Sequence, residues 1–520
     1  METALDKVRR EFKRRAEQNV GFTHSFMHGS TFMSLTAARI RYPQNNPSTR
    51  NSYACNMLRN APAECSCKSY ERMDTISYKG MFVEAPLVIT AYDDMAGQEH
   101  ESNGHNVKVL VGVVFSDNPE DSFDMSNQYV QNGGFRMTSF HTCVCTEKNK
   151  KGVSKGVIGN HQPEDVVGRK AADYSHCDSD GIIYPGANSN SEVVLVNRAI
   201  MPKSRDLEQK AVDNSVKLRA TQSGVVHKVM LTASDNDEKI VKVQTRKTHI
   251  LDVGDKICSM EAQKGIVGHL VAAEDMPYTE TGVRPDVMMN LHAWLSRMTW
   301  AQMFEMMLGS IAMALARVGD ATGFDTSQVM ARAQVLDHET PLPQCEEKRI
   351  LAELRKTLHD AGLVQDLEYK MYSGITGEQL EGTFFMANAR FLKLYHEVDN
   401  KIRARSQGQD NYMTKQPTAR RAEDGGLRAG LMEMDCKRAW GAAWYHNSKV
   451  VNDSDPHFAY VCDRCNLMTD FWRDTETAFC LNCSDADSSS CCFWPYGKRL
   501  LNNQNKSMVT TCFAIAFDLF

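Results

Sequence analysis

The sequence has little that would place the chain in a membrane or in a secretory pathway. Its best apolar candidate, residues 303–316, is interrupted by Glu305 and Gly309 and is too short to cross a bilayer. Segment 1–15 is charged from its first residues and has no apolar core, which argues against a signal peptide. We therefore expect an intracellular protein with reduced thiols and no membrane partner.

The sequence also lacks a strong charge imbalance. Its formal net charge is -5, with 24% charged and 42% hydrophobic residues, which is typical of a globular protein. A chain that is basic as a whole is excluded, so any nucleic-acid surface has to be local. The 520 residues exceed what one core supports, and about three to five structural units are expected.

A disulfide framework is missing as well, because most of the 16 cysteines stand alone and only a C-terminal group has metal-ligand spacing. Two CxxC pairs occur there: Cys462 with Cys465, and Cys480 with Cys483. Four thiolates close a tetrahedral zinc site with no open position, so the predicted zinc is structural. Cys491 and Cys492 are an alternative source of one ligand.

At the centre of the chain lies the stretch from Gly254 to Gly268, which holds Lys256 and Lys264. Its glycines, at 254, 265 and 268, mark points where the backbone turns or lies close to another group. Two ammonium groups on such a backbone suit a phosphate or polyphosphate. The alternative is that both lysines are solvated turn residues.

The main helix prediction is a Met-rich apolar segment from Trp300 to about Val318. Ser296 or Thr299 is the predicted N-cap and Gly319 the stop. The methionines are interpreted as core residues. Two β-rich runs, 85–92 and 107–115, precede it, and the second is so apolar that both of its faces must be covered.

Four other polar residues are candidates for anion or metal chemistry. Arg297 is expected at the N-terminus of the Met-rich helix, where backbone N–H groups and a guanidinium can share an anion. Arg50 would share a helix face with Tyr53. Glu120 and Asp121 are either solvated turn carboxylates or neighbours of a divalent cation bound to phosphates.

The densest basic stretch is 401–428. Its basic residues are Lys401, Arg403, Arg405, Lys415, Arg420, Arg421 and Arg428. They outnumber the acidic residues among Gly, Gln and Asn, which favours contact with a phosphate backbone over a salt-bridged helix. A solvated loop is the alternative.

Short phrases in one collinear order run through the chain. They are TRNSY (49–53), RMDT (72–75), NPEDS (118–122), GFR (134–136), GDK (254–256), QKGIVG (263–268), EDMP (274–277), SRMT (296–299), GDAT (319–322), MYSGITG (371–377), VDNKIRAR (398–405), KQP (415–417) and DGGLR (424–428). With the zinc cysteines, they resemble the C-terminal half of the second-largest subunit of multisubunit DNA-dependent RNA polymerases, in its archaeal and eukaryotic form.

The resemblance implies that Lys256 and Lys264 sit on a barrel facing the active centre, where they contact the RNA 3′ end and nucleotide phosphates. The family's catalytic magnesium is held by an aspartate motif of the largest subunit, and that motif is absent here. The chain is therefore not expected to polymerise RNA alone.

The other site residues follow in the same way. Arg50 and Arg297 would contact the incoming triphosphate, and Glu120 and Asp121 would lie by the magnesium that the nucleotide carries. The basic residues of 401–428 would line the RNA–DNA hybrid.

The implied fold is mixed α+β and multidomain, with a β-barrel core of double-psi type, a β-rich wall module and a C-terminal zinc-binding clamp segment. The expected domains are 1–30, an external docking segment; 31–136, the first part of the hybrid-binding region; 137–250, the wall or flap; 251–434, the second hybrid-binding part with the barrel lysines; 435–458, an anchor; and 459–520, the zinc-bearing clamp segment.

The expected partners are the largest polymerase subunit, a separate N-terminal half of the second subunit, assembly-platform subunits, DNA template, RNA and nucleoside triphosphates. The initiator Met without an N-terminal half suggests a split subunit. The expected metals are one structural zinc and a catalytic magnesium held mainly by the largest subunit.

Several positions depart from the family pattern. Where the family has SRHGQK, the chain reads SMEAQK (259–264), so Met260 and Glu261 replace an Arg-His pair and put negative charge beside the lysines. Leu291 and Leu295 stand where prolines are expected, and GLRAGLME (426–433) replaces GLRFGEME. These changes suggest a fast-diverging, viral lineage, with the protein in the cytoplasm, the nucleus or a virion.

Two functions are compatible with these patterns. The first is a non-autonomous subunit of an RNA polymerase, a nucleotidyltransferase only within its complex. The alternative is a non-catalytic, zinc-containing nucleic-acid-binding protein, a degenerate paralogue of such a subunit. Retention of the basic site residues favours the first, and the Met260-Glu261 change favours the second.

Overall fold

A computed structural model describes residues 33–63, 71–95, 97, 102–147, 156–201, 210–219, 222–234, 238–324, 355–360, 362–472, 477–484 and 489–508. These residues form two compact units, which fall within Met1–Lys217 plus Ser223–Lys401 (unit 1) and within Leu218–Gln222 plus Ile402–Phe520 (unit 2). The predicted docking segment 1–30 lies outside the described residues. Within the described ranges, no helix is long and apolar enough to cross a membrane.

Unit 1 is rich in strands. They are β1 (Ile76–Gly80), β2 (Val88–Ile89), β3 (His105–Val111), β4 (Ser122–Ser126), β5 (Met137–Thr146), β6 (Gly156–Ile158), β7 (Val166–Val167), β8 (Asn188–Ser189), β9 (Val194–Val196), β10 (Arg198–Ile200), β11 (Ala211–Asp213), β12 (Val216–Lys217), β13 (Gly224–Ala233), β14 (Lys239–His249), β15 (Lys256–Ser259), β16 (Lys264–Val271), β17 (Tyr278–Thr279), β18 (Val287–Met289), β19 (Gly319–Asp320), β20 (Glu368–Tyr372) and β21 (Gln379–Lys393). Its helices include α1 (Leu35–Ala38), α2 (Ser48–Leu58), α3 (Ala91–Met95), α4 (Asn127–Gln131), α5 (His292–Arg297) and α6 (Trp300–Ala314), with 3-10 turns at Pro43–Asn45 and Gln365–Leu367. The described residues 355–360 are helical as well.

The core of unit 1 is a closed barrel. Its strands pair in the order β15–β16–β4–β18–β3–β21, and β21 pairs back onto β15. Two of the pairings are parallel (β16 with β4, β18 with β3) and the other four are antiparallel. Closure leaves no free edge among these strands, so their backbone groups are satisfied within the ring.

Apolar residues from every barrel strand meet in one core. Examples are Val109 on β3, Met125 on β4, Ile257 on β15, Val267 on β16, Val287 on β18 and Phe391 on β21. Full burial of each such side chain stabilises the fold by roughly 1.5–3 kcal/mol. The run 107–115 was predicted to be covered on both faces, and this holds for Val107, Val109, Leu110 and Val111, which are buried. It is wrong beyond the end of the strand at Val111, because Val113 is 44% exposed.

Residues 137–250 were predicted to be all β, and their described part contains β5 to β14 and no helix. β1, β5, β14, β13 and β8 form a five-stranded sheet, whose longest ladder joins β14 to β5. β6, β10, β11 and β7 form a four-stranded sheet, and β9 pairs with β12.

The Met-rich helix is α6, which ends at Ala314 rather than near Val318. The predicted stop, Gly319, instead begins β19, which pairs with β2. Met306 and Met307 are buried in the barrel core, so the interpretation of the methionines as core residues is confirmed for these two, whereas Met313 near the end of the helix is 51% exposed.

Unit 2 contains a four-stranded sheet in the order β24 (Thr477–Phe479), β23 (Met468–Trp472), β22 (Pro456–Cys462) and β25 (Ser489–Pro495). Its helices are α7 (Leu431–Ala439), α8 (Ala443–Val450) and α9 (Tyr496–Ser507), with a 3-10 turn at Arg421–Glu423. Its buried apolar cluster is small: Ala459, Val461 and Trp494, with Met468 and Cys492 packed against them.

Candidate functional site

Lys256 and Lys264 lie on neighbouring barrel strands rather than in a turn. Lys256 begins β15 and Lys264 begins β16, and the two strands form an antiparallel hairpin with Cys258 opposite Lys264. The reverse turn between them, residues 260–263, is fully buried. Ala262 takes a left-handed conformation there, with φ of 66°. The alternative that both lysines are ordinary turn residues is therefore wrong.

The glycines around this hairpin act as predicted. Gly254 has φ of 96°, a conformation that favours glycine. A Cβ atom on Gly265 would collide with the Asp121 carbonyl oxygen and the Phe123 ring, and one on Gly268 would lie 3.0 Å from the Asp117 carbonyl oxygen. Gly265 thus lets β16 approach the turn that carries Asp121, whose carbonyl accepts a hydrogen bond from the Ile266 N–H at 2.9 Å.

The lysines belong to a larger cationic cluster. Burial, followed by repulsion from Lys401 and Lys264, lowers the pKa of Lys256. Burial lowers the pKa of His396 as well, and the charges of Lys401, Lys256 and Lys264 add to that effect. Sequence reasoning missed His396, which no motif in the chain distinguishes from an ordinary strand-end histidine. Bound phosphate would relieve the mutual repulsion of this cluster.

Arg297 is fixed by partners on two sides. It is the last residue of α5, whereas the N-terminus of a longer helix was expected; the left-handed Met298 separates it from α6. Its Nη1 donates to Gln263 Oε1 at 2.5 Å, and its Nη2 contacts an Asp121 carboxylate oxygen. Thr299 occupies the N-cap position as predicted, but its hydroxyl accepts a hydrogen bond from Gln263 and makes no cap.

Arg50 and Glu120 lie beside this guanidinium. The pKa of Arg297 is lowered first by burial and then by the charge of Arg50, whereas Glu120 raises it. Arg50 is in the first turn of α2, and its guanidinium lies over the Tyr53 ring at 5.5 Å, so the prediction that the two share a helix face is confirmed. The structure thus brings Arg50, Glu120, Asp121 and Arg297 together, next to the lysine hairpin.

The negative charge expected at Glu261 is not presented to this cationic surface. Met260 and Glu261 are both fully buried, and the Glu261 carboxyl lies close enough to Glu305 on α6 for the two to interact electrostatically. Burial, followed by the Glu305 charge, raises the pKa of Glu261 well above its usual value, while Arg41 offsets part of the effect. Burial raises the pKa of Glu305 too. Both shifts favour the protonated form of the pair.

The basic residues of 401–428 divide into two groups. Lys401 belongs to unit 1, and the rest belong to unit 2. Three arginines are half-buried and donate to main-chain carbonyls. Arg403 donates to Ala419 and Gly426, Arg405 donates to Gln409 and Asp424, and Arg421 donates to Ile402. These three arginines fold the segment. Lys415, Arg420 and Arg428 are exposed and could meet a polyanion.

The four predicted zinc ligands form one cluster. The sulfur atoms of Cys462, Cys465, Cys480 and Cys483 all lie within 4.8 Å of one another, and those of Cys465 and Cys480 are 3.5 Å apart. Sulfur atoms at about 2.3 Å from a tetrahedral zinc ion would be roughly 3.8 Å apart, so the cluster fits one zinc. Cys491 and Cys492 are not members of it.

Two matching turns position the cysteines. The N–H of Asn466 donates to the Cys462 carbonyl at 2.8 Å, and the N–H of Ser484 donates to the Cys480 carbonyl at 2.9 Å. Asn466 and Ser484 both take left-handed conformations, with φ of 56° and 53°. A hydrogen bond from the Leu467 N–H lowers the pKa of the Cys465 thiol to about 7, which favours the thiolate that binds metal.

Two family models and several known proteins that match this chain all point to the same family. The family model for RNA polymerase Rpb2, domain 6, matches residues 36–423, and the model for RNA polymerase Rpb2, domain 7, matches residues 425–515. The chain is 30% identical over 512 residues to the DNA-directed RNA polymerase II subunit 2 of Arabidopsis thaliana, covering 97% of this chain and 41% of that protein.

Two further relatives agree with this result. The RPB2 subunit of DNA-directed RNA polymerase II from Meyerozyma guilliermondii is 31% identical over 98% of this chain and 40% of its own length. The Rpo2 subunit of DNA-directed RNA polymerase from Saccharolobus shibatae is 31% identical over 87% of this chain and 38% of its own length. The chain thus spans about two fifths of the curated relatives it matches.

The buried Glu261–Glu305 pair predicts a pH dependence of stability. Because the pKa of Glu261 is higher in the folded chain than its usual 4.5, the folded state binds more protons above that pH, and stability falls as the pH rises towards the raised pKa. Glu261→Gln keeps a donor for Glu305 and removes this titration. We expect its melting temperature at about pH 8 to exceed that of the wild type by at least about 2 °C, and the gain to shrink at about pH 5. The exposed Glu280→Gln is the matched control. An equal shift at both pH values would contradict the assignment.

The cysteine cluster predicts one zinc per chain and a local effect of its removal. A chelator is expected to expose residues 456–508 to protease and hydrogen exchange, because the small apolar cluster of unit 2 cannot replace the metal. Metal analysis should show that Cys480→Ser loses zinc, whereas the exposed Cys491→Ser in β25 retains it. A chain without bound zinc, or one that loses it on the Cys491 change, would refute the four-ligand set.

Proposed function

Because the chain belongs to the RNA polymerase Rpb2 family, we propose that it works as a subunit of a DNA-directed RNA polymerase and contacts the nucleoside triphosphate and the RNA 3′ end. One observation carries the proposal: the hairpin that holds Lys256 and Lys264 is tied through Gln263 to Arg297, with Arg50 and Asp121 alongside. The cationic groups expected at a nucleotide therefore converge on one side of a rigid barrel.

The barrel gives these cations their fixed positions. We assign the closed six-stranded sheet to the double-psi type that the family resemblance implies, supported by its mixture of parallel and antiparallel pairings. The backbone of Lys256 is held at both its polar groups, since its N–H donates to the His396 carbonyl at 3.3 Å and its carbonyl accepts from the Leu394 N–H at 2.9 Å. In phosphoryl transfer, most of the catalytic effect comes from such positioning and from neutralisation of charge.

Magnesium would have to come from outside this chain. Asp121 is already engaged by Arg297, and among the described residues only the four cysteines form a group of three or more metal-ligating side chains. Glu120 and Asp121 therefore do not make a closed cation site. They suit a magnesium ion that arrives with the nucleotide and is held mainly by the largest subunit, where it would stabilise charge on the phosphates.

Unit 2 carries a surface suited to a partner chain. Helices α7 and α8 contain no buried residue. Leu431, Met432, Trp440 and Trp444 are exposed by between 72% and 88% on or next to them. Apolar patches of this kind mark interfaces. We assign this surface to another polymerase subunit, and in the first place to the largest one. The proposed complex also contains a separate N-terminal half of the second subunit and assembly-platform subunits. It acts inside the cell on DNA template and RNA.

The alternative, a non-catalytic nucleic-acid-binding protein, loses its main support. It was favoured by the Met260-Glu261 change, which was expected to put negative charge beside the lysines. Because both side chains are fully buried, and burial raises the pKa of the Glu261 carboxyl, the change leaves the cationic surface intact. The zinc would have a structural role under either function.

The proposal is tested at Lys264. In the polymerase assembled from this chain and the partners that co-purify with it, Lys264→Ala should slow nucleotide addition by about 10²–10³, the usual cost of one preorganised electrostatic contact. Lys264 is exposed at the start of β16, so assembly should be unaffected. Lys370→Ala, on an exposed position of β20, serves as control and should extend RNA at the wild-type rate. Unchanged elongation by the Lys264 variant would refute the assigned role.

The division of the basic segment predicts two kinds of variant. Lys415→Ala and Arg428→Ala should each weaken binding of an RNA–DNA hybrid and reduce the slope of log K against log salt by about one. Arg405→Ala should instead loosen the segment, because it removes donors to Gln409, Asp424 and the Asp410 carboxylate. Lys506→Ala, exposed on α9, is the control. Titration of a labelled hybrid at several salt concentrations measures the slope, and slopes equal to that of the control would exclude these residues from the contact.

A further inference from the structure

Gln263 is a buried amide at the junction between the lysine hairpin and the α5–α6 connection. It is fully buried and precedes Lys264 directly. Its Nε2 donates to the Thr299 hydroxyl and to the Ala293 carbonyl at 3.3 Å, while its Oε1 accepts from Arg297 Nη1 at 2.5 Å. Both hydrogens and the oxygen of the amide are thus engaged.

These contacts fix the direction of the amide. A flipped amide would place its NH₂ against a guanidinium that only donates, and its oxygen against the Ala293 carbonyl, which only accepts. The buried position also removes water as a substitute partner. Gln263 therefore has one arrangement, and that arrangement sets where Nη1 of Arg297 lies.

The two contacts of Arg297 differ in kind. Gln263 holds Nη1 with a neutral acceptor and leaves the positive charge intact. Asp121 meets Nη2 with a carboxylate that is 59% exposed, and an arriving anion can compete with such a contact. The geometry points to Gln263 as a permanent support and to Asp121 as a replaceable counter-ion.

We propose that Gln263 is a positioning residue, which holds the Arg297 guanidinium at a fixed place relative to Lys264 so that both cations meet the phosphates of one nucleotide. The inference rests on the proposed function, because it assigns Arg297 and Lys264 to the same ligand. Gln263 acts through Arg297 and touches no reacting atom.

The residue type follows from this role. A glutamate at the same place would neutralise the guanidinium and repel the Ala293 carbonyl oxygen, which now accepts from Nε2. An apolar residue of similar length would remove the acceptor for Nη1 of Arg297 and one of the two side-chain donors to the Ala293 carbonyl, which also accepts from the Ser296 hydroxyl. Only an amide provides a neutral acceptor and two donors in the required directions.

The test is a double-mutant cycle on nucleotide addition by the assembled polymerase. Gln263→Met should lower kcat/KM for the nucleoside triphosphate by about tenfold, the scale of a lost hydrogen bond to a charged group. In an Arg297→Ala background, the same change should cost less than about twofold, because its effect passes through Arg297. The control is Gln244→Met in β14, another buried glutamine that donates to a threonine hydroxyl, Thr142, and it should leave kcat/KM unchanged.

Each outcome separates this inference from the proposed function. An equal cost of Gln263→Met in both backgrounds would show a merely structural residue and overturn the inference, as would no cost in either. If Arg297→Ala itself leaves nucleotide addition unchanged, both the proposed function and the inference about Gln263 fail. Should Gln263→Met not assemble, the near-isosteric Gln263→Glu replaces it. That variant is expected to raise KM for the triphosphate about tenfold only when Arg297 is present, and a KM that stays at the wild-type value would overturn the inference.

Discussion

The burial of one reverse turn is the constraint on which the site depends. Residues 260–263 join β15 to β16, and every side chain of the turn is withdrawn from solvent. Two of them carry polar groups, and each lies against a different helix: Gln263 accepts a hydrogen bond from Arg297 at the end of α5, and Glu261 lies beside Glu305 on α6. The lysine hairpin is therefore joined to the end of α5 through Gln263, which relates the position of Arg297 to that of Lys264.

The fold of unit 2 does not depend on a large apolar core. Its apolar cluster is small, and α7 and α8 bury nothing within the described residues. Two devices replace a large core: a four-cysteine cluster that fits zinc, and arginines that donate to main-chain carbonyls in the segment after Ile402. A segment held in this way keeps its remaining cations and aromatic side chains on the surface, which suits contact with nucleic acid and with other chains.

The sequence allowed much of the fold and some of the site to be predicted. Four features were predicted correctly, because periodicity and ligand spacing are local properties. They are the all-β character of 137–250, the part of β3 that is buried on both faces, the Met-rich core helix and the cysteine cluster. The end of α6 was placed too late, since Gly319 is used in a pairing with β2 that local propensity does not encode. His396 and Glu305 were missed because an isolated polar residue carries no pattern, and Gln263 was recognised only as part of the phrase QKGIVG, because its role depends on contacts with α5.

The sequence by itself determined the family, the two CxxC pairs and the presence of Lys256, Lys264, Arg50 and Arg297, because these depend on residue identity and order along the chain. Only the tertiary structure decided what each charge does. It buried Glu261 against Glu305, used Arg403 and Arg405 to bind carbonyls, and joined Arg297 to the lysine hairpin through Gln263. The physical reason is that solvation and partner geometry, which set the charge state and direction of a polar group, arise from residues far apart in sequence that closure of the barrel brings together.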